Sequence, residues 1–309
     1  MNLTQLTTFI RVAEMGSFSK AAIELDIAQP ALSRQVRLLE TDLRTTLLQR
    51  TGRGVVLTDA GKRLYEHSVG ILQLVAHARE DLEAARDEPT GRIVVGLPPS
   101  MGRVLTLPLV DEFRRVLPKA RLAIVEGLSA HLVEWISTGR VDLGLVHNPG
   151  ANPAIESTPV LDEPLCLVSP AGKGRRGAAR PAPPLAFAEL PAYPLIVPEH
   201  THAIRKLLDT QAALAAMKLN IAYEVSSVQS ILDLVRHGHG HAVLARSAVL
   251  VSDQPRDFEV RPLADAALKS TLCLAVSAHK PATPLQKQAV RLLRELLLAR
   301  VAQPALAPT

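Results

Sequence analysis

Pro30, Ser33, Arg34 and Arg37 recur at the i, i+3, i+4, i+7 spacing of one helix face. A hydroxyl and two guanidiniums in that line make hydrogen bonds and break no covalent bond. With Gln29 they offer the donors that base edges and phosphates of duplex DNA accept. Leu32, Val36, Leu39 and Leu43 form a second, apolar stripe on the same segment, so one face is buried while the other is presented. From spacing alone, a small helical hairpin whose arginines only meet solvent fits as well. No nucleophile, base or metal constellation can be assembled from the sequence, so an enzyme is not expected.

The elements that must hold this face precede and follow it. Ser17 is a good N-cap for a short helix carrying Phe18, Ala21, Ala22 and Leu25. Asp26-Ile27-Ala28 then breaks the chain before Pro30, whose missing N–H suits the first turn of a helix. Leu47 to Arg50 and Val55 to Leu57 read as two short strands around Thr51-Gly52-Arg53-Gly54, a wing that presents Arg50 and Arg53 to phosphates or the minor groove. Beyond Thr58, a helical pattern runs to about Asp87. Leu64, Ser68, Ile71, Val75, Ala78, Leu82 and Ala85 alternate steps of four and three, a seam for pairing with a second copy, or for packing on the helix's own domain.

The stretch AEMGSFSKAAIELDIAQPALSRQVRLLETDL, followed by LLQRTGRGVVLTDAGKRL, resembles the DNA-binding segment of LysR-type transcriptional regulators, nearly unbroken from Leu3 to about Leu64. The resemblance implies DNA contacts by Gln29, Pro30, Ser33, Arg34, Arg50 and Arg53; Arg37 joins them from its place on the helix face. It also implies a fold: an N-terminal α-rich winged helix-turn-helix, a long linker helix, then an α/β two-lobed, periplasmic-binding-protein-like (type 2) effector domain. The corresponding divisions are 1–58 for the winged helix, 59–88 for the linker and dimerisation helix, 92–162 with 268–300 for one lobe, and 163–267 for the other. The function implied is sequence-specific regulation, more often activation, by a homodimer joined through 59–88. Such dimers form tetramers on an interrupted palindrome, and RNA polymerase is a candidate partner.

The residues after position 88 fit that plan independently. Asp87-Glu88-Pro89-Thr90-Gly91 breaks the helix, and RIVVGL opens an alternation of strands and helices. Strands are expected near 122–125, 143–146, 165–169, 195–197, 242–244 and 272–276, with helices at 129–138 and from Pro284. Between two lobes a ligand faces strand ends and helix N-termini, where free N–H groups favour a carboxylate or another anion. That points to Ser100 and Met101, Ser129, His147, Thr201 and His202 with Arg205, and Ser226, in loops that hold the effector in LysR-type relatives. A serine at a helix start is also an ordinary cap, and Arg205 also fits a surface charge.

Three further readings are narrower. Cys166 and Cys273 fall on strands that cross between the lobes and could approach each other; two buried structural thiols are preferred to a redox switch, because neither has a cationic neighbour in sequence. His237, His239 and His241 suit a glycine-rich turn better than a metal site, and no cofactor is expected. The formal charge of +5 is weak evidence for DNA, since residues 1–87 hold eleven basic and eleven acidic side chains while Lys173, Arg175, Arg176 and Arg180 crowd one loop. Neither an export signal nor a run of about 18 apolar residues is found, so a cytoplasmic chain away from membranes is expected. The same absence speaks against a transport receptor built on this scaffold.

Overall fold

The computed structural model describes residues 1–52, 54–83, 89–172, 183–265 and 267–302. Three helices open the chain: α1 (Leu3–Met15), α2 (Phe18–Glu24) and α3 (Gln29–Leu43). Sequence patterning overlooked α1, which starts on a capping box between Asn2 and Gln5 and contributes Leu6, Phe9, Ile10 and Val12 to the core. These pack with Ala21 and Ala22 of α2 and with Leu32, Val36 and Leu39 of α3. Asp26 adopts φ 52° at the break between α2 and α3. The wing is β1 (Leu48–Thr51) paired antiparallel with β2 (Gly54–Leu57).

Two contacts fix the wing to the helices. The Glu40 carboxylate of α3 accepts from the N–H groups of Leu47 and Leu48 at 2.8 and 3.2 Å. Val55 N–H donates to the Gly16 carbonyl at 2.9 Å, and a Cβ on Gly54 would stand 2.6 Å from that same oxygen. Glycine at 54 is therefore a steric requirement as well as a turn preference.

Helix α4 (Asp59–Glu83) begins under Thr58, whose Oγ1 accepts from Gly61 N–H at 3.0 Å. The upper half of its seam is used at home. Leu64 and Ile71 pack half-buried on the winged-helix core and Ser68 is fully buried, so the chain itself covers much of this part of the seam. Val75 is half-buried and Ala78 exposed; the side chain of Leu82, and Ala85 altogether, lie outside the described residues. An a/d pattern records only that one face is apolar, and here the chain itself covers its first two turns.

The rest alternates β3 (Gly91–Leu97), α5 (Pro99–Val116), β4 (Ala120–Glu126), α6 (Ser129–Thr138), β5 (Leu143–His147) and a long β6 (Ile155–Pro170). Then come β7 (Leu195–Val197), α7 (Ala203–Leu214), β8 (Ile221–Glu224), α8 (Val228–Arg236), β9 (Ala242–Ala245) and α9 (Arg246–Leu250). The chain finishes with β10 (Phe258–Pro262), β11 (Lys269–Ser277) and α10 (Pro284–Leu297). The main sheet runs β10-β6-β11-β5-β3-β4, with β9 also on β6. Its central strands are buried on both faces: Ile93 and Val95 lie toward α5 and α10, Val94 toward α6. A separate core gathers β7, α7, α8 and β9 around Leu195, Leu208, Ile231 and Val243.

Strand β6 is longer than its apolar end, 165–169, implies. Residues 155–164 pair only with β11, and the stretch from Leu165 pairs with β9 and β10. The first part carries Pro159 and Pro164, which read as breakers in sequence but are tolerated on an edge, where no partner needs their missing N–H. This geometry separates the cysteines. Cys273 lies opposite Pro159, and Cys166 is seven residues further along the same strand, so about 20 Å divides them at a rise of about 3.3 Å per residue. Disulfide formation is therefore excluded, and burial raises both thiols, Cys166 to about 12.

The winged helix meets the sheet domain at one tight crossing. A Cβ on Gly70 of α4 would overlap the Thr138 carbonyl at the C-terminal end of α6. Beside this contact, Arg140 stacks on Trp135 at 4.3 Å and the Tyr65 hydroxyl donates to Glu14 at 3.1 Å. Gly70→Val is expected to force this crossing apart, lowering the melting temperature and speeding amide exchange in α4 and around Gly139. Exchange in the Leu195–Val243 core should not change; unaltered protection at Gly139 would disprove the contact.

Candidate functional site

Helix α3 presents Gln29, Pro30, Arg34 and Arg37 to solvent, with Ser33 half-buried beside them. Its N-cap, Ala28, makes no side-chain hydrogen bond, so the amides of the first turn stay open to an acceptor such as phosphate. Neither Arg34 nor Arg37 is held in an ion pair among the described residues. Arg50, on β1, is exposed and lies 5.2 Å over the ring of Phe18 at the start of α2, a stacking contact that holds the guanidinium against the helices. Arg53 lies outside the described residues. Helix face and wing thus form one polar, cation-bearing surface with the hydrophobic core directly behind it.

The second site is a cavity of about 300 Å³ between the two halves of the sheet domain. Four longer helices begin in its walls, α5 at Pro98–Ser100, α6 at Leu128 and Ser129, α7 at His202–Ile204 and α8 at Ser226–Val228, and the short α9 starts there too at Ala245. The starts of α5 and α6 carry no side-chain cap, whereas His202 and Ser227 cap α7 and α8; all four helix dipoles favour negative charge at this end. His147, at the end of β5, donates its backbone N–H to Ser129 Oγ at 2.9 Å, while its Nδ1 meets Ser270 Oγ at 2.9 Å. Burial, with His202 adding to it, pushes the His147 imidazole down to about 4. Burial also lowers His202, whose Nδ1 accepts from Ile204 N–H at 3.2 Å. Both rings are therefore neutral near pH 7. Leu128, Val228, Leu232, Ala248 and Val251 supply apolar surface.

Of the residues read from sequence as effector contacts, Ser100, Ser129, His147, His202 and Ser226 meet at this cavity. Met101, Thr201 and Arg205 do not. Met101 points into the core between α5 and the sheet, since it lies one position, about 100°, beyond the cavity-facing Ser100. Thr201 is exposed outside the walls. Arg205 has a side chain only 5% exposed and fully engaged: Nε donates to both Asp209 oxygens at 2.9 Å, and Nη1 to Glu224 at 2.8 Å and to the Pro198 carbonyl at 3.1 Å. It ties α7 to β8 and carries no spare charge for a ligand.

Sequence reading missed Arg103, Gln229, Ser247 and Ser270, all of which line the cavity. Arg103 was within reach, because it follows Ser100 by three residues on one helix and so shares its face. Ser247 and Ser270 come from strand and helix ends remote in sequence, which no local pattern reveals. His237 and His241 diverge, one bonding the Asp233 carbonyl and the other Ser169.

Residues 3–62 match the family described as bacterial regulatory helix-turn-helix protein, lysR family, and residues 86–301 match the LysR substrate binding domain. The nitrogen assimilation regulatory protein nac of Klebsiella aerogenes is 30% identical over 307 residues, covering 99% of this chain and 97% of that protein. The HTH-type transcriptional regulator BbuR of Bordetella bronchiseptica is 29% identical over 296 residues, 96% of this chain and 89% of its own length. Among solved structures, full-length CbnR complexed with its target DNA superposes with a TM-score of 0.66 at 23% identity, covering 96% of this chain and 100% of that one. Full-length BenM gives 0.58 at 24%, covering 97% of each. The winged helix-turn-helix, the linker helix and the α/β effector-binding domain thus occur here in the same order and along nearly the whole chain, and the protein belongs to the LysR family of DNA-binding transcription regulators, not to an enzyme family.

Proposed function

We propose that this chain is an effector-gated, sequence-specific transcription regulator, more often an activator, whose ligand is a small organic anion bound between the lobes formed by 92–162 with 268–300 and by 163–267. The observation that carries the reading is the cavity itself, where four helix N-termini converge on two neutral imidazoles and a set of serine hydroxyls. Ser100, Ser129, His147, His202 and Ser226 are its proposed contacts. Gln29, Pro30, Ser33, Arg34, Arg37, Arg50 and Arg53 are the proposed contacts to DNA, within a DNA-binding unit of residues 1–58.

A route from ligand to DNA supports gating. Helix α6 begins in the cavity wall at Ser129 and ends against Gly70 of the linker helix, a rigid rod of 10 residues and about 15 Å. Pairing of two chains through 59–88 would place two recognition helices on the half-sites of an interrupted palindrome. Leu74, 49% exposed, supports that pairing along with Val75 and Ala78. Apolar side chains exposed on α5 (Leu107 and Val110) and on edge strand β8 (Ile221 and Tyr223) support further assembly toward a tetramer, with RNA polymerase as a later partner.

In a salt titration with DNA from the upstream region of its own gene, the wild-type chain should bind specifically. Arg34→Ala should reduce that affinity by about tenfold or more and flatten the salt slope; equal binding by both proteins would remove Arg34 from the interface. Ser100→Ala and Ser129→Ala should each weaken a bound carboxylate by several-fold without changing DNA affinity in its absence. An anion set between the two imidazoles raises their proton affinity, so binding takes up protons and tightens as pH falls from about 7 toward 5. His147→Gln should reduce that slope, and a pH-independent affinity in the wild type would place the anion elsewhere.

A further inference from the structure

Arg103 lies one turn into α5, on the face of Ser100, and its guanidinium crosses the mouth of the cleft. Nη1 donates to Gln229 Oε1 on α8 at 2.9 Å and Nη2 to Asp253 Oδ1, just beyond α9, at 2.5 Å. Among the described residues that line the cavity, it alone carries a permanent charge, since no carboxylate and no lysine is present and both imidazoles are neutral. Its partner Asp253 stands outside the lining, with a side chain 72% exposed against 42% for Arg103.

We infer that Arg103 selects the charge of the effector: the ligand is a monoanion with an apolar body, and its carboxylate takes the guanidinium from Asp253. The inference rests on the small-anion reading above and adds to it the number of charges, the residue that holds the charge and the side chain that competes for it. The exchange is favourable because the two carboxylates differ in what each loses. Asp253, well exposed, is rehydrated when released, and exposed ion pairs contribute little. A ligand carboxylate inside the cleft has lost its water, so charge-assisted bonds from Arg103 replace hydration it cannot otherwise recover. Leu128, Val228, Leu232 and Val251 then cover the apolar body. A dianion would find no second permanently charged side chain among the described lining residues, only helix dipoles and neutral imidazoles, and a neutral amide would leave Arg103 with Asp253.

The test uses the full-length chain with isovalerate and benzoate as probes, beside the uncharged isovaleramide and benzamide. Binding is read by thermal shift and by fluorescence of Trp135, the single tryptophan, on α6. The acids should bind and the amides should not. Arg103→Gln should weaken the acids about tenfold or more, and Arg103→Lys less. Asp253→Asn should tighten them several-fold, since the competitor is gone. If Arg103 were only a strap between lobes, both Arg103→Gln and Asp253→Asn would cut the same bridge and shift affinity in the same direction. That result, or undiminished acid binding by an Arg103→Gln variant that still binds DNA and shows native circular dichroism, overturns the inference and leaves the anion reading standing. Binding of neither acid to the wild type overturns the reading beneath it.

Discussion

The pairing of β6 with β11 is the constraint on which the two-lobed domain depends. Nine residues of β11 lie against β6 between Ile155 and Pro164, and the same β6 then continues as the strand on which β9 and β10 are laid. The chain crosses between the lobes twice, in β6 near Leu165 and on the return to β11 near Leu268, and the two crossings are bonded to each other there, Leu165 N–H donating to the Leu268 carbonyl at 2.8 Å. Glu163 sits at that point, buried, with its carboxylate receiving the N–H of Ser247 at 3.1 Å and its hydroxyl at 2.6 Å. Burial pushes this carboxyl upward while the two donors pull it down. Ser247 also lines the cavity, so the crossing between the lobes and the cavity wall share one hydrogen-bonded pair.

What the sequence made legible follows from how locally each feature is encoded. Helix α3 could be read because its first-turn proline, its buried stripe and its polar face lie within about fifteen consecutive residues, and the family resemblance covers the same stretch. Helix α1 escaped because no turn residue or cap drew attention to it, although Asn2 and Gln5 form a capping box. The seam of α4 was legible only in part: its periodicity is real, but periodicity does not say which surface comes to meet it, and Leu64 and Ile71 lean on the winged helix.

The cleft shows the same division. Residues that open helices were found because helix starts have chemical signatures, and five of the eight converge. Arg205 looked like a cation beside the site, but only the folded chain brings Asp209 and Glu224 around it. Met101 failed by a single residue, the difference between the two sides of a helix. Arg103 carries the plainest chemistry in the cavity, yet it stands one turn inside α5, where no loop or cap residue marks it as part of a site.

The crossing of α4 over α6 has a consequence for modularity. Winged helix and effector domain look like separable units in sequence, joined at a linker, and recombining such units between relatives is a natural way to rewire a regulator. Here the joint admits no side chain at Gly70 because the Thr138 carbonyl already fills the space, so the fit belongs to the linker helix and the effector-binding domain together. A transplanted effector domain would have to bring its own version of that helix turn, or find a glycine waiting in the recipient's linker helix. Inheritance of new input signals by this chain is thus constrained by one backbone contact at the far end of α6 from the cavity wall.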